Sequence, residues 1–158
     1  MSLLPKVFRI GVVAALISVF AVPLQAAELK LEGRLIWGTN DEKFNDPKCK
    51  PVDEATAEKL RKVFQWKRYF DVSKKTTTIP SRGMGKLEMS NKCTVEITEL
   101  EGPKVEVKLI GNGKPVNKTV KQLSKGESFT LAGDCKDGSA WFVIITELDE
   151  RSKPPGAL

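Results

Sequence analysis

The stretch CTVEITELEGPKVEVKLIGNG, residues 93–113, decides the fold class. Apolar and polar side chains alternate through Cys93–Leu100 and again through Val105–Leu109, and a period of two is typical of a strand with one buried face. Gly102-Pro103 separates the two runs, and Gly111-Asn112-Gly113 follows the second with residues that tolerate the positive φ of a tight turn. This stretch therefore predicts two antiparallel strands followed by a hairpin.

Runs of the same kind occur on both sides of this stretch. Each is short and bounded by turn residues, and the last is the most apolar, which predicts an interior strand. The predicted strands are Glu28–Trp37, Lys74–Ile79, Lys86–Met89, Val116–Leu123, Ser128–Leu131 and Trp141–Leu148. Short strands at regular spacing predict a mainly β fold, an antiparallel β-sandwich or small barrel.

One segment has helical spacing instead. Within Asp53–Gln65, Ala57, Leu60 and Phe64 form one apolar stripe, and Asp53 is a suitable N-cap. This predicts a single amphipathic helix near the N-terminus of the mature chain, between the first strand and the others, covering a face or an open end of the sheets.

The N-terminus has the order of a secretory signal peptide. Lys6 and Arg9 precede an uncharged apolar run, Ile10–Val22, and small residues follow it. A membrane-spanning helix needs about 20 apolar residues, so this run is too short and cleavage after Ala26 or Ala27 is expected. The predicted organisation is a signal peptide at 1–26, one globular domain at 27–148, and a charged, Pro-rich, disordered tail at 149–158.

Composition limits the chemistry. The formal net charge is +6, and removal of Lys6 and Arg9 with the leader leaves +4, with acids and bases interleaved. This pattern is typical of a solvated surface and not of a nucleic-acid-binding one. The chain has no histidine, which removes the commonest general base and zinc ligand and every His-dependent nucleophile pair. We expect no enzyme activity, no cofactor and no metal.

Three cysteines are present, and an exported chain meets an oxidising compartment, so one disulfide is expected. Cys93 begins an alternating run and is predicted to be a buried thiol. Cys49 and Cys135 lie in polar loops, which favours a Cys49–Cys135 disulfide, although both other pairings remain open.

The candidate binding residues are basic and lie on the helix and its exit. Lys59, Lys62 and Lys67 surround Trp66, and such a surface is able to bind an anionic polymer, a lipid headgroup or a protein. A solvated helix face explains the same pattern, so the site is a hypothesis.

Two acidic loops are alternative candidate sites. Asp134, Asp137 and Ser139 lack the remaining ligands of a calcium loop, and the Asp41–Asp46 loop has no sign of an apolar pocket for acid–base catalysis. Asp and Asn are ordinary loop residues, and a turn explains both loops.

Three stretches of the segment Lys59–Leu148 carry a family resemblance: Phe64–Phe70, Lys125–Gly133 and Trp141–Ile145. Through them the segment resembles small exported bacterial envelope proteins. The resemblance implies a β-rich envelope domain, periplasmic or secreted, and carries over no catalytic residue and no ligand.

These observations favour an exported, non-catalytic envelope domain that binds a protein or another macromolecule. Lys74–Ile79 and Lys86–Met89 are the strand edges expected to recruit a partner. The alternatives are a structural envelope protein without a soluble ligand and a histidine-free hydrolase that uses carboxylates. No stable membrane insertion is expected after signal cleavage.

Overall fold

The computed structural model of the protein describes residues 28–101 and 103–148. The predicted signal peptide and the predicted tail lie outside the described residues, as does Gly102.

Nine strands and one helix make up the described part of the chain. Two antiparallel sheets, with strand orders β2-β3-β1-β9-β8 (sheet A) and β4-β5-β6-β7 (sheet B), confirm the predicted mainly β, sandwich-like fold. The elements are β1 (Leu29–Thr39), β2 (Lys50–Pro51), α1 (Glu54–Val63), β3 (Arg68–Ile79), β4 (Met84–Ser90), β5 (Cys93–Glu99), β6 (Lys104–Gly111), β7 (Lys114–Gln122), β8 (Ser128–Asp134) and β9 (Ala140–Glu147).

The helix follows the first two strands instead of beginning the domain. Asp53 is its N-cap, as the sequence predicts, and the Asp53 carboxylate accepts the Thr56 backbone N–H at 2.9 Å. The helix ends at Val63, and the extended backbone of its C-cap, Phe64, starts the return to β3. In the part of the chain that the structure describes, no helix is long and apolar enough to cross a bilayer.

Two apolar layers lie on opposite faces of sheet A. Because side chains alternate along a strand, neighbouring residues of β1 serve different layers. Leu35 packs between the two sheets with Leu131 and Val143, whereas Ile36 packs beneath α1 with Leu60 and Phe142. The outer face of sheet B is charged and carries cross-strand pairs such as Lys108–Glu96 at 3.4 Å. The molecule is therefore layered as helix, sheet A, sheet B and solvent.

The predicted Cys49–Cys135 disulfide is not formed, and all three cysteines are free thiols. Strand order explains this result. Cys49 adjoins β2 and Cys135 follows β8, the opposite edges of sheet A. Four interstrand steps of about 4.8 Å separate those edges, whereas a disulfide joins Cα atoms less than about 7 Å apart.

The edges predicted to recruit a partner are already in contact with each other. β2 pairs only with Phe70 and Asp71, so the Lys74–Ile79 half of β3 lies at the edge of sheet A, and Lys86–Met89 lies in edge strand β4. However, the Ser73 hydroxyl donates to the Met89 carbonyl across this side of the sandwich. The open side is therefore the other one, where β7 and β8 end their sheets.

Candidate functional site

The residues of the outer face of sheet A beside α1 form a groove. Its floor is the solvent-facing side of β8 and β9, which carries Thr130 and Ile144. Its wall is the last turn of α1, which carries Val63 and Phe64, and Lys59 stands one turn earlier. This groove has a volume of about 480 Å³.

A second depression continues the groove along β8. It has a volume of about 430 Å³ and shares Val63 and Phe64 with the first, while Ala132 and Asp134 form its β8 side. Together they make one surface, which we call the β8 groove, running along the outer face of an edge strand.

Arg34 fixes the helix that forms the wall. Its guanidinium donates to both oxygens of Asp71, to Asp53 at 3.1 Å and to the Thr56 hydroxyl at 3.1 Å. The hydrogen bond to Asp71 raises the pKa of Arg34, so the cation persists at any physiological pH. The N-terminus of α1 is therefore tied to β1 and β3 by one charged group.

Asp53 is held as a carboxylate by the same network. The Thr56 hydroxyl, the Thr56 backbone N–H and Arg34, in that order of influence, lower the Asp53 pKa from 3.8 to about 2. A fixed N-cap gives α1 a defined start, which sets where Lys59 and Val63 stand.

Only part of the predicted basic site lies in this groove. Lys59 is exposed and lines it, and no ion pair of Lys59 occurs among residues 28–101 and 103–148. Lys62 and Lys67 are also exposed, but neither lines the groove. The Lys67 backbone N–H instead donates to Asn40 at 2.9 Å, which places that residue at the start of β3.

Trp66 is buried and not an exposed platform. Only 9 % of it is accessible, and its indole N–H donates to the Gly138 carbonyl at 2.9 Å. Its ring meets Phe142 edge-on at 5.6 Å. Trp66 therefore supports the end of the β8 groove and is not available for stacking on a ligand.

The acidic loops serve as turns. Asp137 accepts hydrogen bonds from the backbone and hydroxyl of Ser139, and these two bonds lower its pKa. Asp41 accepts the Lys43 backbone N–H at 2.9 Å, and Asp46 accepts that of Lys48 at 2.9 Å. Each carboxylate thus organises its own loop.

Sequence reasoning did not identify β8 as part of a site. The exposed side chains of Ser128, Thr130 and Ala132 are ordinary for any solvated strand, and only the strand order makes β8 an edge. Val63 is 74 % exposed. An apolar residue at the end of a basic helix is the one feature of the sequence that could have indicated this groove.

Comparison with known protein families, with curated proteins and with solved structures found no match to this chain. The function is therefore argued from the geometry of the groove.

Proposed function

We propose that this protein is an exported, non-catalytic binding domain of the bacterial envelope, and that it takes up an extended segment of a partner protein along β8. The segment adds to sheet A as a further strand and places alternate side chains in the β8 groove. The observation that carries this proposal is an edge strand whose free backbone groups border an apolar-walled groove.

The backbone of β8 has hydrogen-bonding groups directed outward. The Glu147 N–H donates to the Glu127 carbonyl at 3.1 Å, and the Cys135 N–H donates to Ser139 at 2.9 Å. The odd-numbered residues of β8 therefore form the backbone hydrogen bonds to β9. Because these bonds alternate along the strand, the backbone N–H and C=O groups of Thr130 and Ala132 point to the open edge. These groups support main-chain pairing with an incoming strand.

The other strand on the open side is protected against such pairing. β7 contains Lys114, Lys118 and Lys121 as well as Pro115, whereas Ser128–Asp134 contains neither lysine nor proline. Charges and proline on an edge strand discourage pairing. β8 is accordingly the more receptive of the two edges.

The groove indicates the chemistry of the segment. Val63, Phe64 and Ile144 offer apolar contact, and Lys59 offers a cation without a carboxylate partner in the described ranges. The matching segment is extended, carries an apolar side chain directed at Val63, and has an acidic residue within reach of Lys59.

Photo-crosslinking in envelope extracts tests this proposal. Benzoylphenylalanine in place of Val63 probes the groove wall, and the same group in place of Val120 is a matched control, because Val120 is 54 % exposed on the outer face of sheet B. We expect a discrete adduct with one other protein from position 63 and none from position 120.

Two outcomes contradict the binding proposal. Adducts of equal yield from both positions indicate nonspecific collision. An adduct only with a second copy of the same chain supports the structural envelope role instead.

The export part of the proposal rests on the leader sequence and has its own test. Cell fractionation and N-terminal sequencing of the mature protein should give a periplasmic or secreted chain that begins at Ala27 or Glu28. Recovery of the intact chain in the cytoplasm excludes an envelope role.

A further inference from the structure

A second cavity lies between the sheets, at the end of the sandwich that holds the β6–β7 hairpin. Its volume is about 570 Å³, within the range of ordinary small-molecule sites. It opens on the inner face of sheet A, whereas the β8 groove lies on the outer face, and the two share only Gly133 and Asp134 at the end of β8. Its use therefore does not depend on the proposed function.

Two indoles form the floor of this cavity. Trp37 and Trp141 are directly opposite each other on β1 and β9, and both line the cavity. Directly opposite residues in antiparallel strands have Cβ atoms about 5 Å apart on one face, so both indoles start from the same face of sheet A. Leu109 and Val116 of sheet B supply an apolar roof.

Gly133 is required for this floor. It is the cross-strand partner of Trp141, and a Cβ at position 133 would lie 2.0 Å from the indole of Trp141. The absence of a side chain lets the indole extend over β8. The cavity is thereby lined by the indole of Trp141 over β8 and by the indole of Trp37 on β1.

The charged residues of the cavity lie at its rim. Lys92 and Asp134 are both exposed, and Asp134 has its side chain on the same face of β8 as Ala132, so the enclosed part of the lining is mainly apolar. A charged ligand therefore loses hydration without gaining an enclosed partner, whereas a neutral hydroxyl or carbonyl at the rim meets the Asn112 amide and the Lys92 ammonium.

From these features we propose that the cavity binds a small, uncharged, apolar molecule with a flat ring system and one hydrogen-bonding group. The ring lies against the indoles of Trp37 and Trp141 beneath the roof of sheet B, and the polar group faces Lys92 and Asn112. Filling the cavity restores dispersion contacts that its apolar lining lacks and stabilises the fold by mass action.

The neutral probe N-phenyl-1-naphthylamine tests this proposal, and anilinonaphthalene sulfonate is its charged counterpart with the same ring skeleton. We expect the neutral probe to bind at one site per chain, with energy transfer from tryptophan and a higher melting temperature. The sulfonate should bind more weakly. Val116→Trp should weaken binding of the neutral probe about tenfold, or about 1.4 kcal/mol. Val120→Trp, on the same strand but outside the cavity, should leave it unchanged.

The cysteines give an internal control. Cys93 and Cys135 line the cavity, whereas Cys49 does not, and all three are half-buried. Saturating neutral probe should slow alkylation of Cys93 and Cys135 and leave the rate at Cys49 unchanged. The proposal is overturned if the neutral probe does not bind, or if the sulfonate binds more tightly than the neutral probe. It is also overturned if Val116→Trp and Val120→Trp weaken binding equally, or if the probe changes the alkylation rate of none of the three thiols.

Discussion

At the scale of single residues, Arg34 connects the fold to the proposed site. Its hydrogen bonds to Asp53, Thr56 and Asp71 join the helix N-terminus to two strands of sheet A. Bidentate Arg–carboxylate pairs fix geometry as well as charge. The wall of the β8 groove therefore depends on a residue that lies at the other end of α1.

The lowered pKa of Asp53 predicts a specific pH dependence. The folded-state pKa is about 2 and the ordinary value is 3.8, so the carboxylate stabilises the fold above about pH 4. That contribution is lost as the pH falls from about 4 toward 2. In urea unfolding, wild type should have a higher unfolding free energy than Asp53→Asn, by a difference that is constant above about pH 5. This difference in unfolding free energy should become smaller below pH 4.

Thr56→Val provides the control for this prediction. The Thr56 hydroxyl has the largest influence on the Asp53 pKa, so the narrowing should be smaller in that background. A difference between wild type and Asp53→Asn that does not change between pH 5 and pH 2 contradicts the account.

Tyr69 carries a buried hydroxyl that has no hydrogen-bond acceptor in the described structure. Burial raises its pKa, and the positive charge of Arg61 offsets this only partly. Because a buried polar group without a partner costs about 1–3 kcal/mol, Tyr69→Phe should unfold at equal or higher urea concentration than wild type. Tyr69→Leu, which removes the ring that packs on Phe142 at 5.7 Å, should unfold earlier. A loss of stability in Tyr69→Phe would reveal a partner for the hydroxyl.

The role or burial of a single residue was predictable from the sequence where the periodicity of its own helix or strand determines it. Asp53 as N-cap and Leu60 as a buried residue follow from helical periodicity alone. Trp66 was not predictable, because its burial depends on the Gly138 carbonyl, 72 residues away in sequence. Its sequence neighbours Gln65 and Lys67 are polar, and the residues that cover it, such as Gly138 and Phe142, are distant in sequence.

At the scale of elements, α1 is held mainly by one face. Leu60 is 4 % exposed beneath the helix, whereas Val63 is on its open side. Leu60→Ala should therefore lower the unfolding free energy by about 2–4 kcal/mol, through lost burial and an unfilled cavity. Val63→Ala, the matched control on the same helix, should change it by about 0.5 kcal/mol or less. Urea titration followed by circular dichroism measures both, and equal losses would mean that the helix is not anchored through Leu60.

Strand existence was largely predictable, and strand length was less so. The alternation in residues 93–113 correctly predicted β5, β6 and the hairpin after them, in which Asn112 and Gly113 have positive φ. β3 begins at Arg68, six residues before the predicted start, because the apolar Tyr69 and Phe70 pair with β1 instead of continuing the helix exit. β2 has two residues and no periodicity to detect.

At the scale of the whole molecule, strand order determines function in this account, and local sequence does not encode strand order. β9 was expected to be interior and lies between β1 and β8, because its apolar residues face two packed layers. By contrast, two features follow from the order in which the chain places its strands in the two sheets. Cys49 and Cys135 lie at opposite edges of sheet A, and β3 and β4 are in contact at one side of the sandwich. The same crossing leaves β8 as the open edge.

Pairing of a partner with the backbone of β8 is tested by two variants at one position, Thr130. Thr130→Pro removes an outward N–H without removing a bond to β9, whereas Thr130→Val keeps the N–H and resembles threonine in shape. With both folds verified by melting temperature, we predict that capture of the partner from crosslinked envelope extract survives in Thr130→Val and is lost in Thr130→Pro. Equal capture by the two variants would contradict strand addition at β8.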